Sequence, residues 1–275
     1  MINYRIYAPQ GILAQFVRFF WSLEAEVNYC ESFVHRALPD NCPELIFYCK
    51  GSLSISSPDG EEGRTFSSGI FGQAKKFRQF RTERSFGLFG VYLYPYSLRM
   101  LFNLPADPLC NEKVDSETLF GFEGKMLEER IISAVTQEHR VRIASDFFAK
   151  RIRSMRDHDT TFACRIQSVI ENNDVHSISS FAHHCNLSRR QFERKFREFS
   201  GLSPKDFFSI MRFKKALNEI AQGSRSLAQI AIDAGYYDQS HFTNEFKDFS
   251  GYTPKTFLLN HQHEVDQRAT RDFKE

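Results

Sequence analysis

Two short stretches of the chain concentrate side chains able to make directional contacts with anions and hydrogen-bonding edges. From 189 to 215 there are nine basic residues (Arg189, Arg190, Arg194, Lys195, Arg197, Lys205, Arg212, Lys214, Lys215) against three acidic ones (Glu193, Glu198, Asp206). At helical spacing, Arg189, Arg190, Glu193, Arg194 and Arg197 share one side, and Phe192 and Phe196, four residues apart, take the other. Guanidinium forks match phosphate oxygens or the edge of guanine, and a carboxylate can accept from cytosine. The second stretch sets Gln239, Ser240, Thr243, Asn244 and Lys247 opposite Phe242 and Phe246. Over 226–257 it carries only Lys247 and Lys255 against Asp233, Asp238, Glu245 and Asp248. Amides and hydroxyls also read base edges, but they displace few counterions from a phosphate backbone. On charge alone, a phosphate-binding face and an ordinary solvated helix surface are equally good readings of the basic stretch.

Catalytic chemistry finds less support. His35 and His139 are the only histidines before residue 155, and neither H-x-H nor H-E-x-x-H occurs there. His183 and His184 fall on a scaffold helix, and His261 and His263 in a polar tail without core partners. The six cysteines (Cys30, Cys42, Cys49, Cys110, Cys164, Cys185) form no C-x-x-C pair, and no P-loop, dinucleotide fingerprint or G-x-S-x-G is present. No catalytic residue, metal site or cofactor is expected, and the chain is not expected to be an enzyme.

The elements that position the two stretches repeat. Residues 177–207 read SISSFAHHCNLSRRQFERKFREFSGLSPKDF and 226–257 read SLAQIAIDAGYYDQSHFTNEFKDFSGYTPKTF. Ile178 aligns with Leu227, Ala182 with Ala231, Phe192 with Phe242 and Phe196 with Phe246. Phe199-Ser200-Gly201 aligns with Phe249-Ser250-Gly251, Pro204 with Pro254 and Phe207 with Phe257. Each copy reads as a short helix (178–184; 227–234) built around an alanine, a turn carrying Asn186 or Gly235, and a second helix. Ser188 or Asp238 caps that second helix, and Gly201 or Gly251 ends it. Between the copies, 204–221 is expected as one long helix with Phe207, Ile210, Met211, Phe213, Ala216, Leu217 and Ile220 buried. It would hold two recognition helices apart for successive major-groove turns, roughly 34 Å along the duplex.

This arrangement, and the two F-S-G-x-[ST]-P endings above all, resembles the C-terminal domain of the AraC/XylS family of bacterial transcription regulators over residues 161–260. The resemblance implies sequence-specific binding of double-stranded DNA. Base reading from the first helical turns falls to Arg190, Glu193 and Arg194, and phosphate contact to Arg189, Lys195 and Arg197. For Glu193 an intrahelical pair with Arg189 or Arg197 is an equal alternative. In the second unit Gln239, Ser240, Thr243 and Asn244 would read bases and Lys247 would meet phosphate. Family members often carry Arg where Asn244 and Leu258 stand, so the first unit is expected to supply most of the affinity.

The first half reads as β-rich. Segments 44–49, 52–56 and 87–94 have strand composition, Pro58-Asp59-Gly60 marks a turn, and a helix is expected over 11–20. Helices follow at 97–102, 123–133 and 139–153. The fold class is therefore α+β. A sensory or dimerisation domain is expected over 1–155, which by weak resemblance is a cupin-like barrel. An all-α reader domain follows over 160–260, and a polar tail over 261–275. In the first domain His35, Arg36, Asp40 and Glu44 are the polar candidates for a ligand pocket near aromatic walls.

Hydrophobic residues make up 41% and charged residues 25% of the 275, a globular balance, with a formal net charge of +2. No apolar run is long enough to span a membrane and Met1 does not open a signal peptide, so a cytoplasmic location is expected. Candidate partners are double-stranded DNA, RNA polymerase and a small-molecule effector, for a monomer or a homodimer. Two other readings stand beside effector control: regulation by a protein partner or by self-association, and a cupin-like enzyme fused to the DNA-binding domain.

Overall fold

The computed structural model describes residues 2–27, 32–58, 62–64, 66–155, 160–171, 181, 185, 187–222 and 225–260. The first half forms β1 (Ile2–Tyr7), β2 (Val17–Ala25), β3 (Phe33–Ala37), β4 (Glu44–Lys50), β5 (Ser54–Ser56), β6 (Glu62–Arg64), β7 (Ser68–Phe71), β8 (Arg78–Thr82), β9 (Phe86–Leu93) and β10 (Lys113–Asp115). One sheet has the order β1-β2-β9-β4-β7-β10 and the other β3-β8-β5-β6, with antiparallel pairing throughout. Among the described residues the ladders do not join the two sheets into a closed barrel, so the expected cupin-like barrel is corrected to two separate antiparallel sheets.

The helix expected over 11–20 is a correction. Only Gly11–Gln15 coils, as one 3-10 turn, and β2 follows directly. β2 lies between β1 and β9 with eight of its nine residues buried or half-buried, leaving only Glu24 exposed (VRFFWSLEA). A strand covered on both faces reads as a continuous apolar run, which periodicity does not separate from a buried helix. The aromatic and β-branched content of 17–21 is the signal that decides for a strand.

Helices α1 (Ser97–Phe102), α2 (Ser116–Phe120), α3 (Phe122–Ser133) and α4 (Gln137–Ser154) pack beside the larger sheet. α1 stops at Asn103, in the left-handed region at φ 55°, two residues before Pro105. Then come α5 (Thr160–Glu171), α6 (Arg189–Ser200), α7 (Pro204–Gln222), α8 (Leu227–Asp233), α9 (Gln239–Ser250) and α10 (Pro254–Asn260). The first scaffold helix of the first copy, expected over 178–184, lies largely outside the described residues, as does the tail 261–275.

Three buried apolar clusters organise these elements. One runs from the larger sheet (Val17, Phe20, Phe89) through Leu98, Ile131 and Phe148 into Phe162, Phe192, Phe196 and Phe207. Packing of the first reader is thus continuous with packing of the β-rich unit. A second cluster lies between the sheets around Trp21, Ile46, Phe71, Phe80 and Leu88. The third, Phe213, Leu217, Ile230, Ala231, Phe242 and Phe246, is the interior of the second reader. All seven apolar positions expected on α7 are buried.

Candidate nucleic-acid interface and the adjoining cavity

The F-S-G-x-[ST]-P motif is a corner in which each residue has a separate task. Phe199 is buried against Phe162, and Phe249 lies beside Phe213. Ser200 and Ser250 are fully buried, and each hydroxyl donates to the carbonyl two residues on while accepting from that residue's N–H. Both polar groups of the bend are thereby satisfied without solvent. Gly201 and Gly251 sit at φ 74° and 80°, where a side chain is strained. Ser203 and Thr253 then accept from the N–H groups of Asp206 and Thr256 at 3.1 and 3.2 Å, capping α7 and α10, and proline opens each new helix.

At the other end of each recognition helix the caps are as expected. Ser188 and Gln191 form a reciprocal capping box on α6, and Asp238 accepts from His241 N–H at 2.7 Å on α9. Phe192, Phe196, Phe242 and Phe246 are wholly buried. Arg189, Arg190, Arg194 and Arg197 are exposed along α6, and Gln239, Ser240, Asn244 and Lys247 along α9. Thr243 is half-buried and donates to Gln239 O at 2.8 Å. Glu193 pairs with Arg189 at 3.0 Å, which is the intrahelical alternative.

Three of the nine cations counted over 189–215 point away from the open face. Lys195 lies over the rings of Phe162 and Phe199, 5.1 and 5.8 Å from their centroids. Arg212 reaches Glu245 of α9 at 3.4 Å, and Lys214 pairs with Asp40 at 2.9 Å. The second unit is likewise less acidic outward than its composition. Asp233 pairs with Arg225, Asp238 caps, and Glu245 faces Arg212 and His241.

Between the two sheets, and closed on one side by α7, lies a cavity of about 90 Å³. Trp21, Phe71 and Tyr92 from one sheet and Phe33 and Phe80 from the other form its aromatic walls, while Phe213, Lys214 and Leu217 are its helical side. Of the four polar candidates, His35, Asp40 and Glu44 line it, together with Arg78 and Lys214. Arg36 does not, because neighbours on a strand point to opposite faces and His35 takes the inner one. Its guanidinium instead donates to Ser250 O at 2.7 Å, between the rings of Phe77 and Tyr252 at 4.1 and 4.2 Å. Neither Lys214 nor Arg36 carries a local sequence signal for these roles. Burial opposes ionisation of Asp40, but Lys214, Tyr92 and Arg18 outweigh it and hold the carboxyl below its ordinary value. Burial, with Asp40 nearby, pushes the Cys42 thiol up to about 12, so it is an unreactive wall residue.

Two capped recognition helices, α6 and α9, set at either end of the connecting helix α7, with α8 completing a helix pair with α9, have the arrangement of a double helix-turn-helix module. Residues 181–260 match the family model described as a helix-turn-helix domain, and residues 5–115 match a domain of unknown function, DUF6597. Residues 181–260 thus carry a helix-turn-helix domain of the AraC type. It is 32% identical over 63 residues to the HTH-type transcriptional regulator ArgR of Pseudomonas aeruginosa, covering 23% of this chain and 19% of that protein. An uncharacterized HTH-type transcriptional regulator of Haemophilus influenzae is 34% identical over 70 residues, 26% of this chain and 23% of that one. The matched segment thus spans less than a quarter of either curated relative. The crystal structure of ToxT from Vibrio cholerae aligns over 94% of this chain and 97% of ToxT, at 12% identity and a TM-score of 0.45. No described helix is long and apolar enough to cross a membrane.

Proposed function

We propose that this chain is a sequence-specific, double-stranded DNA-binding transcription regulator whose first reader supplies most of the affinity. The observation that carries this is the exposure of Arg190, Arg194 and Arg197 along a capped helix, where the equally open matching positions of α9 are Ser240, Asn244 and Lys247, with one charge in place of three. Arg190 and Arg194 read bases, and Arg189 and Arg197 neutralise phosphates. Gln239, Ser240, Asn244 and the half-open Thr243 refine the choice of sequence, with Lys247 on the backbone. Selection of a random duplex library with the full chain, followed by titration of the recovered sequences at fixed salt, tests this. Enrichment of a sequence whose binding weakens steeply with salt is expected, and recovery of no sequence would sink it.

The same regulator answers to a small-molecule effector. A cavity walled by aromatic rings, holding His35, Asp40, Glu44 and Arg78, and touching the helix that joins the readers supports this reading. A metabolite panel should contain a compound that raises the melting temperature saturably, and Leu217→Trp, which fills the cavity, should remove the effect. Stabilisation by a second copy of the chain, with none by any metabolite, would instead favour control by self-association.

A further inference from the structure

The β-rich unit touches both readers, and it does so at the same structural place. Gly201, at the end of the first recognition helix, faces Gln73 and Ala106 so closely that a Cβ there would lie 2.5 Å from Gln73 Oε1 and 3.0 Å from Ala106 O. Beside it Ala106 N–H donates to Glu198 O at 2.9 Å, and Arg99 pairs with the Glu198 carboxylate at 2.8 Å. Gly251, at the end of the second, faces Arg36 and Phe77, where a Cβ would lie 2.5 and 2.6 Å from their side chains. The Ser250 carbonyl next to it takes the Arg36 hydrogen bond. The connecting helix is held as well, by Asn41 donating to Phe207 O at 3.1 Å and by Asp40 on Lys214. The first turns of α6 and α9, where base contact begins, stay exposed.

We propose that the β-rich unit is a splint. It grips the C-terminal corner of each recognition helix, and so sets the spacing and angle at which the two readers meet the duplex, through residues that never touch DNA. Arg36 is the positioning residue for the second reader. Its planar guanidinium is stacked between one ring of the β-rich unit, Phe77, and one of the reader, Tyr252, while its hydrogen bond ends on a helix-terminal backbone carbonyl. The first reader has contacts of its own at Ala106 and Arg99 and does not depend on this one.

The proposal rests on the two-reader DNA-binding reading, and the test separates the two. Duplexes recovered from a random library with the wild-type full chain are rebuilt with one base pair inserted between the two half-sites. That insertion turns the second half-site by about 35° and moves it by about 3.4 Å. Wild-type affinity should fall about tenfold, because both readers no longer engage together. Arg36→Ala should lose less than about threefold on the same change, with unaltered nuclease protection of the first half-site and weakened protection of the second on the parent duplex. Phe77→Leu, which removes one ring of the sandwich, should behave alike, and Phe77→Tyr, which keeps it, should retain the wild-type penalty. If circular dichroism shows Arg36→Ala unfolded, Phe77→Leu decides. The same tenfold penalty in wild type and folded variant would overturn the splint, whereas recovery of no duplex by the wild type would overturn the DNA-binding reading beneath it.

Discussion

Lys214 on the connecting helix and Asp40 in the segment after β3 meet at 2.9 Å although 174 residues separate them. Their side chains keep 10% and 25% of their surface in solvent, so the pair is largely removed from water and each charge depends on the other. It sits on the edge of the cavity and joins the half of the chain that would bind an effector to the half that would bind DNA.

Replacing that aspartate should reveal the pair through pH. Its carboxyl is held below the ordinary value, so the stability it contributes is present above the ordinary carboxylate range and is lost as pH falls through the lowered value. Asp40→Asn should therefore cost about 2–3 kcal/mol at neutral pH, the low side for a buried pair given its partial exposure. The gap to wild type should close in acid, below about pH 4. Chemical denaturation at both pH values checks it, and an equal gap at both would contradict the assignment.

The readers should differ in what a single truncation costs. Arg194→Ala is expected to lose about 1–3 kcal/mol of binding and relax preference at one base position, and Asn244→Ala to lose less. Equal losses in a titration at fixed salt would refute an unequal partnership.

Arg197 should act through charge alone. Arg197→Ala should weaken every duplex alike and reduce the slope of log affinity against log salt by about 1. A change confined to one base position would move it to the base-reading group.

Glu193 is satisfied by Arg189 within its own helix. Glu193→Ala should change stability by no more than about 0.5 kcal/mol, leave base preference intact and, by releasing Arg189, raise affinity for unrelated duplexes. A relaxed preference at one base position would make Glu193 a base reader instead.

The corner glycines should resist substitution. Gly251→Ala forces a side chain into the left-handed region at φ 80° and against Arg36 and Phe77, which should cost at least about 1–2 kcal/mol and a few degrees of melting temperature. An unchanged melting temperature would mean that the corner is looser than the contacts at Gly251 require.

What was legible in the chain was what is local. The F-S-G-x-[ST]-P corners could be decoded residue by residue, because each side chain serves backbone within a few positions of itself, and the buried face of α7 followed from its period. β2 was illegible as a strand because both its faces are covered, so no alternation survives in its sequence. Charge counting misjudged Lys195, Arg212 and Lys214, because a count over a window has no direction. Sequence alone groups Arg36 with the cavity candidates, whereas its side chain turns away to the Ser250 carbonyl. His35 and Arg36 have the same neighbours in sequence, and what separates them is which side of β3 each faces and, for Arg36, a carbonyl 214 positions away.

That alternation on β3 has a mechanical corollary. His35 borders the cavity and Arg36 contacts the second reader, so a ligand in the cavity would be parted from that reader by a wall one residue thick. Signalling across such a wall needs no relay of side chains through the protein. β3 is laced to β8 in single-residue register, and a pleated strand has no resting position between registers. A push on one side would therefore be transmitted as a tilt of the whole strand, like pressure on one end of a short rocker arm.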